Sequence, residues 1–380
     1  MTLSKGQQRQ FVERGFSRRS FGRLATLIAA GPALPFYNEF TLAAQDLDMS
    51  APPTGVVKID ANENPLGPCP EAAEAMRSVV AGGGRYMFHL AGEFQAVLAE
   101  QEGLRQGYVQ AYPGSSMPLH WAVLAFTSPT RPLVTAEPGY EAPEGAARFV
   151  GARVIRVPLT RDWAHDVRAM AKADPNTGLI YVCNPNNPTG TLTSRADIEF
   201  LLANKPAGAV LLLDEAYIHF ADTPGCSDLV AAGKDVILLR TFSKIYGMAG
   251  LRAGAALARP DLLAKIRAYG NTWVPATSMV GATASLKARN LVAQRRKITR
   301  DTREDVLGFL DKNGVRYSPS VSNHFLVDVR RPGREIISAL RGENILVGRA
   351  WPSLPTHVRV TVGTPEEMNR FKTAFLKVMG

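Results

Sequence analysis

Three observations predict an α/β fold for this chain. Between about residues 110 and 258, short apolar runs bounded by turn residues alternate with helical patterns. The runs are near-continuous in Val, Leu and Ile, as strands must be when helices cover both faces of a parallel sheet. The composition, 46% hydrophobic and 21% charged over 380 residues, can bury a large core. In order, the predicted strands cover 132–136, 154–159, 179–183, 210–213 and 236–239. The large domain is expected to end near the helix around residue 280. Beyond it, 315–317, 325–329 and 358–362 read as strands among helices, one of them the amphipathic segment 365–379. The expected division is an N-terminal extension (1–45), an arm with part of the small domain (46–82), a large domain (83–285) and a small α/β domain (286–380). No internal repeat is evident, and the only low-complexity tract is the turn Gly82-Gly83-Gly84.

Composition excludes several classes. The formal charge is +10, from 44 Lys plus Arg against 34 Asp plus Glu. No uninterrupted apolar run reaches the roughly 18 residues of a membrane-spanning helix. Cys69, Cys183 and Cys226 are too scattered for a disulfide scaffold and form no zinc-spaced cluster, so neither bridges nor metal should carry the fold. The basic run Arg289, Arg295, Arg296, Lys297, Arg300 and Arg303 lies in a long helical pattern with acidic residues following. It reads as a solvated helix face rather than a nucleic-acid patch, since no nucleic-acid motif accompanies it.

Residues 1–45 are basic, with Lys5, Arg9, Arg14, Arg18, Arg19 and Arg23 against Glu13 and Glu39. Ser17-Arg18-Arg19-Ser20-Phe21 precedes a mildly apolar stretch, 24–34, broken by Gly31 and Pro32. The pattern resembles a twin-arginine export signal. That implies periplasmic delivery through machinery for folded proteins, the alternative being a cytoplasmic protein with a basic N-terminal helix. Thr41-Leu42-Ala43-Ala44 is only a loose cleavage site, so a retained signal stays open.

Three strand-end segments carry the chemistry. Ser243-Lys244 follows a buried strand, with Arg252 eight residues on; a lysine there can form a Schiff base with an aldehyde cofactor while Ser243 and Arg252 hold a phosphate. Asp214 ends the strand 210–213 and points into the crevice where α/β sheets bind ligands, placed to pair with a pyridinium nitrogen. The third segment, Asn184-Pro185-Asn186-Asn187-Pro188-Thr189-Gly190, is dense in turn residues and alone would be a plain loop. Together, spaced 27 residues from Asn187 to Asp214 and 30 from Asp214 to Lys244, the three resemble pyridoxal-phosphate aminotransferases of fold type I, class I/II.

Within that family the chain is most similar to the histidinol-phosphate aminotransferase branch, over roughly residues 58–380. Asp60-Ala61-Asn62-Glu63-Asn64-Pro65-Leu66-Gly67-Pro68 resembles the branch's N-terminal signature, and Arg359-Val360-Thr361-Val362-Gly363-Thr364 its C-terminal one. The resemblance implies pyridoxal 5′-phosphate as cofactor, an amino donor and an oxo-acid acceptor as substrates, and a homodimer. It makes Lys244 the Schiff-base lysine and general base, Asp214 the pyridinium partner, and Asn187 and Tyr217 donors to the ring's phenolic oxygen. It sets Ser243, Arg252 and the turn Gly114-Ser115-Ser116 around the phosphate, where the start of a helix offers free backbone N–H groups. Tyr140 would stack on the ring, and Tyr86 would reach the phosphate from the neighbouring subunit. Arg359 would hold the substrate carboxylate, Arg349 its distal end, and Asn64 would also lie at the substrate.

The chain departs from the branch at Ser116-Met117 after the phosphate turn, at Met87-Phe88-His89 after Tyr86, and at His324. His89 and His324 could line the substrate end, though a structural role is the simpler reading. Export also sits badly with a phosphorylated biosynthetic intermediate. The expected donor is therefore an unphosphorylated amino acid or a modified peptide side chain, handled by ping-pong transamination. A lyase, cyclase or oxidase using the same cofactor is the alternative, because the motifs hold the cofactor without fixing the outcome of its chemistry.

Overall fold

The computed structural model describes residues 5–17, 55–270 and 273–380. Its strands are β1 (Val57–Ile59), β2 (Val109–Tyr112), β3 (Leu133–Glu137), β4 (Val154–Pro158), β5 (Leu179–Cys183), β6 (Val210–Asp214), β7 (Val236–Thr241), β8 (Gly254–Leu257), β9 (His324–Asp328), β10 (Ile345–Val347) and β11 (His357–Thr361). The helices used below are α1 (Lys5–Glu13), α2 (Pro70–Val80), α3 (His89–Gln101), α4 (Ser116–Phe126), α5 (Ala142–Phe149), α6 (Leu291–Lys312) and α7 (Pro365–Met379).

The central sheet runs β2-β8-β7-β6-β5-β3-β4. Every pairing from β7 to β4 is parallel, and β8 alone runs antiparallel to both its neighbours. Strands β5, β6 and β7 are buried throughout, which is why their sequences are unbroken apolar runs rather than alternating ones. Their ladders continue past the last aliphatic residue, so β6 takes in Asp214 and β7 extends to Thr241. The Gly-Ala-Ala-Leu strand β8 gives little strand signal in sequence because its small side chains suit a tight central position between β2 and β7.

A second core gathers Val57, Ile59, Phe325, Val360, Phe371 and Phe375 around the antiparallel pair β9–β11 and the parallel pair β1–β10. Helix α7 has the bounds its amphipathic pattern predicts, and Thr364 and Glu367 close its N-terminus as a capping box. The expected strand 315–317 is absent. Tyr317 makes one isolated bridge to Val327, because the turn at Gly314 and the proline at 319 leave no length for a ladder.

The basic run in and before α6 differs from expectation at three of its six positions. Arg295 and Arg303 are buried: Arg295 donates to the carbonyls of Ile245 (2.9 Å) and Gly67 (2.6 Å), and Arg303 to that of Ser322 (2.9 Å). Arg296 reaches the His219 carbonyl at 2.9 Å. A guanidinium carries five donors and can tie down several loop carbonyls at once, so these three arginines brace loops, while Arg289, Lys297 and Arg300 are exposed as expected.

Ahead of the Arg18-Arg19 pair, the N-terminal residues pack on the large core. Phe11 and Phe16 are buried and meet edge to face at 5.6 Å. Between them Arg14 donates to the Leu124 and Thr127 carbonyls at the end of α4 (2.8 and 3.0 Å) and to the Tyr269 hydroxyl (2.6 Å). A cation over the last carbonyls of a helix is favourably placed against its dipole. The expected signal from Arg18 through residue 44 lies outside the described residues. Among the described residues no helix is long and apolar enough to cross a membrane. All three cysteines are buried and none is in a disulfide.

Candidate active site

The C-terminal ends of β5, β6 and β7 open on one crevice, and each delivers one of the predicted segments. Lys244 lies three residues beyond β7, where its Nζ donates to the Ala61 carbonyl (3.1 Å) and sits 5.5 Å from the centre of the Tyr217 ring. Asp214 closes β6 with 4% of its surface exposed. Its Oδ2 accepts from the Tyr181 hydroxyl (3.0 Å) and its Oδ1 from the Ala216 amide (3.2 Å). Burial pushes its carboxyl up to about 6, while the two hydrogen bonds and the charge of Lys244 pull the other way. A desolvated carboxylate of this kind is stabilised by a cation brought to it, such as a protonated ring nitrogen.

A phosphate cradle stands beside it. Gly114, at φ +86°, lies so close to Arg252 that a β-carbon there would fall 2.3 Å from Nη2, so only glycine permits both the turn and the contact. Ser115 is the N-cap of α4 but its hydroxyl caps none of the helix's own amides, and the first turn carries no acidic side chain. The helix therefore presents free N–H groups and the positive end of its dipole. Ser243 is nearly buried and its Oγ accepts from the Thr241 hydroxyl (3.0 Å). Tyr140 is half-buried, near enough for its hydroxyl to act electrostatically on both Arg252 and Tyr181.

On the opposite wall a polar network joins the two cores. Arg359 is fully buried; its Nη1 donates to Asn187 Oδ1 (3.0 Å) and its Nη2 to the Asp60 carbonyl (2.5 Å). Asn62, fully buried at φ +53°, donates through Nδ2 to the Tyr217 hydroxyl (3.1 Å), while its backbone N–H and Oδ1 both bond Thr361 Oγ1 (2.9 and 3.1 Å). His324 packs edge-on against Tyr217, 4.7 Å between ring centres, with Nδ1 beside Ser322 Oγ and Nε2 beside the Asn186 carbonyl. Burial and the charge of Arg359 hold it well below the usual histidine range, hence neutral. Its ring supports Tyr217, the structural role expected of it.

The other predicted residues are engaged with protein partners or lie at the surface. Asn64 uses both ends of its amide locally, donating to the Ile245 carbonyl (3.1 Å) and accepting from the Leu66 amide (3.1 Å), so it braces the loop beside Lys244. Arg349 forms a forked pair with Glu141. Tyr86 is 74% exposed in a surface cluster with Phe88 and Trp273, at ring distances of 5.3 and 4.5 Å. His89 is exposed at the start of α3. Sequence reasoning assigned no role to Tyr181, Asn62 or Glu141. Tyr181 had a usable signal: it is two residues from Cys183, which pairs with Asp214, so strand parity puts its hydroxyl on the Asp214 face.

A buried carboxylate, a lysine one strand away and an anion cradle made of a helix start and an arginine together fit pyridoxal 5′-phosphate. Comparison with known proteins agrees. The family model for aminotransferase class I and II matches residues 54–375. The chain is 35% identical over 329 residues to a histidinol-phosphate aminotransferase of Symbiobacterium thermophilum, covering 86% of this chain and 91% of the relative. It is 34% identical to histidinol-phosphate aminotransferase 2 of Pseudomonas fluorescens, over 88% and 92% of the two chains. A solved structure of a putative histidinol-phosphate aminotransferase from Erwinia carotovora atroseptica superposes with a TM-score of 0.82 at 31% identity, covering 87% of this chain and 98% of that one. The Sinorhizobium meliloti histidinol-phosphate aminotransferase, solved with pyridoxal-5′-phosphate, gives 0.79 at 25% identity over 91% and 98%.

Proposed function

The chain belongs to the class I and II aminotransferases and is a pyridoxal-phosphate-dependent transaminase; from that premise we propose that it moves an amino group between an unphosphorylated amino acid or amine and a 2-oxo acid, in two half-reactions. The observation that carries this reading is the convergence of Lys244, Asp214, Arg252 and Arg359 on one crevice. When bound, the cofactor supplies a carbonyl that accepts the amino group and a ring that takes up the electrons of the broken C–H bond. Lys244 Nζ would anchor it and then, as the free amine, carry the substrate's α-proton. Asp214 would keep the ring nitrogen protonated, and Ser243, Arg252 and the start of α4 would bind the phosphate. Arg359, immobilised by Asn187, would hold the α-carboxylate with a planar fork that fixes orientation as well as charge.

The departures at Ser116-Met117 and Met87-Phe88-His89 support a donor different from the phosphorylated one in the relatives' name. Tyr86, exposed beside Phe88 and Trp273, supports a homodimer in which this aromatic cluster meets a second copy. For purified protein with bound cofactor, an amino donor added anaerobically should discharge the visible absorbance band and an oxo acid should restore it, with parallel double-reciprocal plots. A band that decays only with oxygen, or with ammonia release and no acceptor, would move the chemistry to the lyase, cyclase or oxidase class.

The same reading includes export. Ser17-Arg18-Arg19-Ser20-Phe21 supports the twin-arginine route, which accepts a folded, cofactor-loaded protein. The packing of Phe11, Arg14 and Phe16 on the large core favours a signal that stays attached, since cleavage near residue 44 would remove those contacts. Replacing Arg18 and Arg19 by Lys should shift the protein from the periplasmic to the cytoplasmic fraction at its full length. An unchanged distribution rules this route out.

A further inference from the structure

Arg349 sits in the irregular segment after β10, and Glu141 is the N-cap of α5, next to Tyr140. Arg349 Nη1 bonds Glu141 Oε1 at 2.8 Å and Nη2 bonds Oε2, a bidentate fork whose two side chains are only 19% and 23% exposed. The pair lies at the substrate wall. The Arg349 guanidinium carbon is 4.1 Å from the centre of the Trp351 ring and that of Arg359 is 5.6 Å from the same centre, so both cations share one indole. Trp351 is itself fixed, buried with its Nε1 donating to the Gly139 carbonyl at 3.1 Å. The backbone between them is tight: a β-carbon on Gly348 would lie 2.9 Å from Arg359 Nε.

The two arginines thus differ in what they hold. Arg359 donates to an amide oxygen and a carbonyl, whereas Arg349 carries a carboxylate in the geometry that a substrate carboxylate or phosphate would need. A second anionic group on a substrate would have to evict Glu141 and leave that carboxylate poorly solvated and unpaired. A further carboxyl group, Asp60, lies beside Arg359 with its Oδ1 buried and without a hydrogen-bond partner, and burial raises the range in which it titrates.

We propose that Glu141 is a specificity-determining residue: by occupying Arg349 it closes the site to amino acids and oxo acids with a second negative charge and selects those with neutral or cationic side chains. The inference rests on the transaminase reading and on Arg359 holding the α-carboxylate.

The test uses the cofactor-loaded full-length protein in two measurements. In the first, non-reacting carboxylates are titrated against the visible band, with maleate as dicarboxylate and 4-methylpentanoate as monocarboxylate. The wild type should bind the monocarboxylate more tightly, and Glu141→Gln should shift the affinity ratio toward maleate on the order of 10- to 100-fold, the size of a relieved like-charge clash. In the second, band discharge gives kcat/KM for leucine and lysine against glutamate and aspartate, and the acidic-to-neutral ratio should rise in Glu141→Gln by the same factor. A wild type that already prefers maleate and glutamate overturns the proposal without any variant. A Glu141→Gln protein that keeps its band but loses all ligands equally also overturns it, because Glu141 then only supports the fold. If no donor discharges the wild-type band yet the maleate ratio shifts, the selectivity stands and transamination is what fails.

Discussion

A Lys244→Ala variant is expected to fold, to retain the phosphate contacts, and to transaminate at least about 10²-fold more slowly than wild type, since positioned proton transfer alone contributes about 10² to 10⁴. The side chain does two jobs at one atom. Its Nζ would anchor the cofactor carbonyl and, once released, is the amine near enough to carry a proton; alanine removes both. Stability should change little. The lost hydrogen bond to the Ala61 carbonyl is worth about 1 to 3 kcal/mol, and the buried ladder of β7 ends three residues before the substitution. The distinguishing measurement is the absorbance spectrum beside the melting curve. A protein melting near the wild-type temperature, with cofactor bound but the visible band displaced, fits the assignment. A Lys244→Ala protein that keeps the wild-type band and turns over with any donor would remove Lys244 from the chemistry.

The parts of this site that could be read from sequence are those that interrupt a strong pattern. β5, β6 and β7 are apolar up to their C-terminal ends because both faces are covered, so the polar residues that follow each run stand out: Asn184, Asp214, and the Arg240-to-Lys244 segment. The phosphate turn was legible for a related reason, since Gly114 and two serines opening a helix leave few alternatives. What could not be read depends on contacts between distant residues. The Arg349–Glu141 pair spans 208 positions and the Asn62–Thr361 bonds span 299, and nothing local distinguishes these side chains from surface polar residues. The same holds for α6, whose arginines follow an ordinary amphipathic pattern until the Gly67, Ile245 and Ser322 carbonyls are brought against them. Small strands were missed for want of signal: Gly-Ala-Ala-Leu carries no β-branched residue, and its place in the sheet comes from β2 and β7 on either side.

Asp214→Asn is expected to weaken cofactor binding and to slow the half-reaction by about 10² to 10³, the loss typical of removing one preorganised electrostatic partner. The pH dependence identifies the cause. In the protein without cofactor, burial raises the carboxyl from 3.8 to about 6. Between those values the folded chain holds a proton that the unfolded chain has released, so Asp214's contribution to stability is present below about pH 4 and is lost as pH rises to about 6. A ring cation reverses the preference by stabilising the carboxylate, so cofactor affinity should fall as pH drops through about 6, with one proton taken up per cofactor released. Asparagine cannot ionise and should flatten both dependences. It also changes the local hydrogen bonding: the asparagine oxygen can keep the Ala216 amide, but its Nδ2 then faces the Tyr181 hydroxyl, which must turn from donor to acceptor. Part of the loss is therefore structural, and a Tyr181→Phe, Asp214→Asn double variant separates it. If the pair restores melting temperature but not the rate, the missing charge at the ring nitrogen accounts for the rate; if both recover, Asp214 acts as a packing residue and the electrostatic assignment falls.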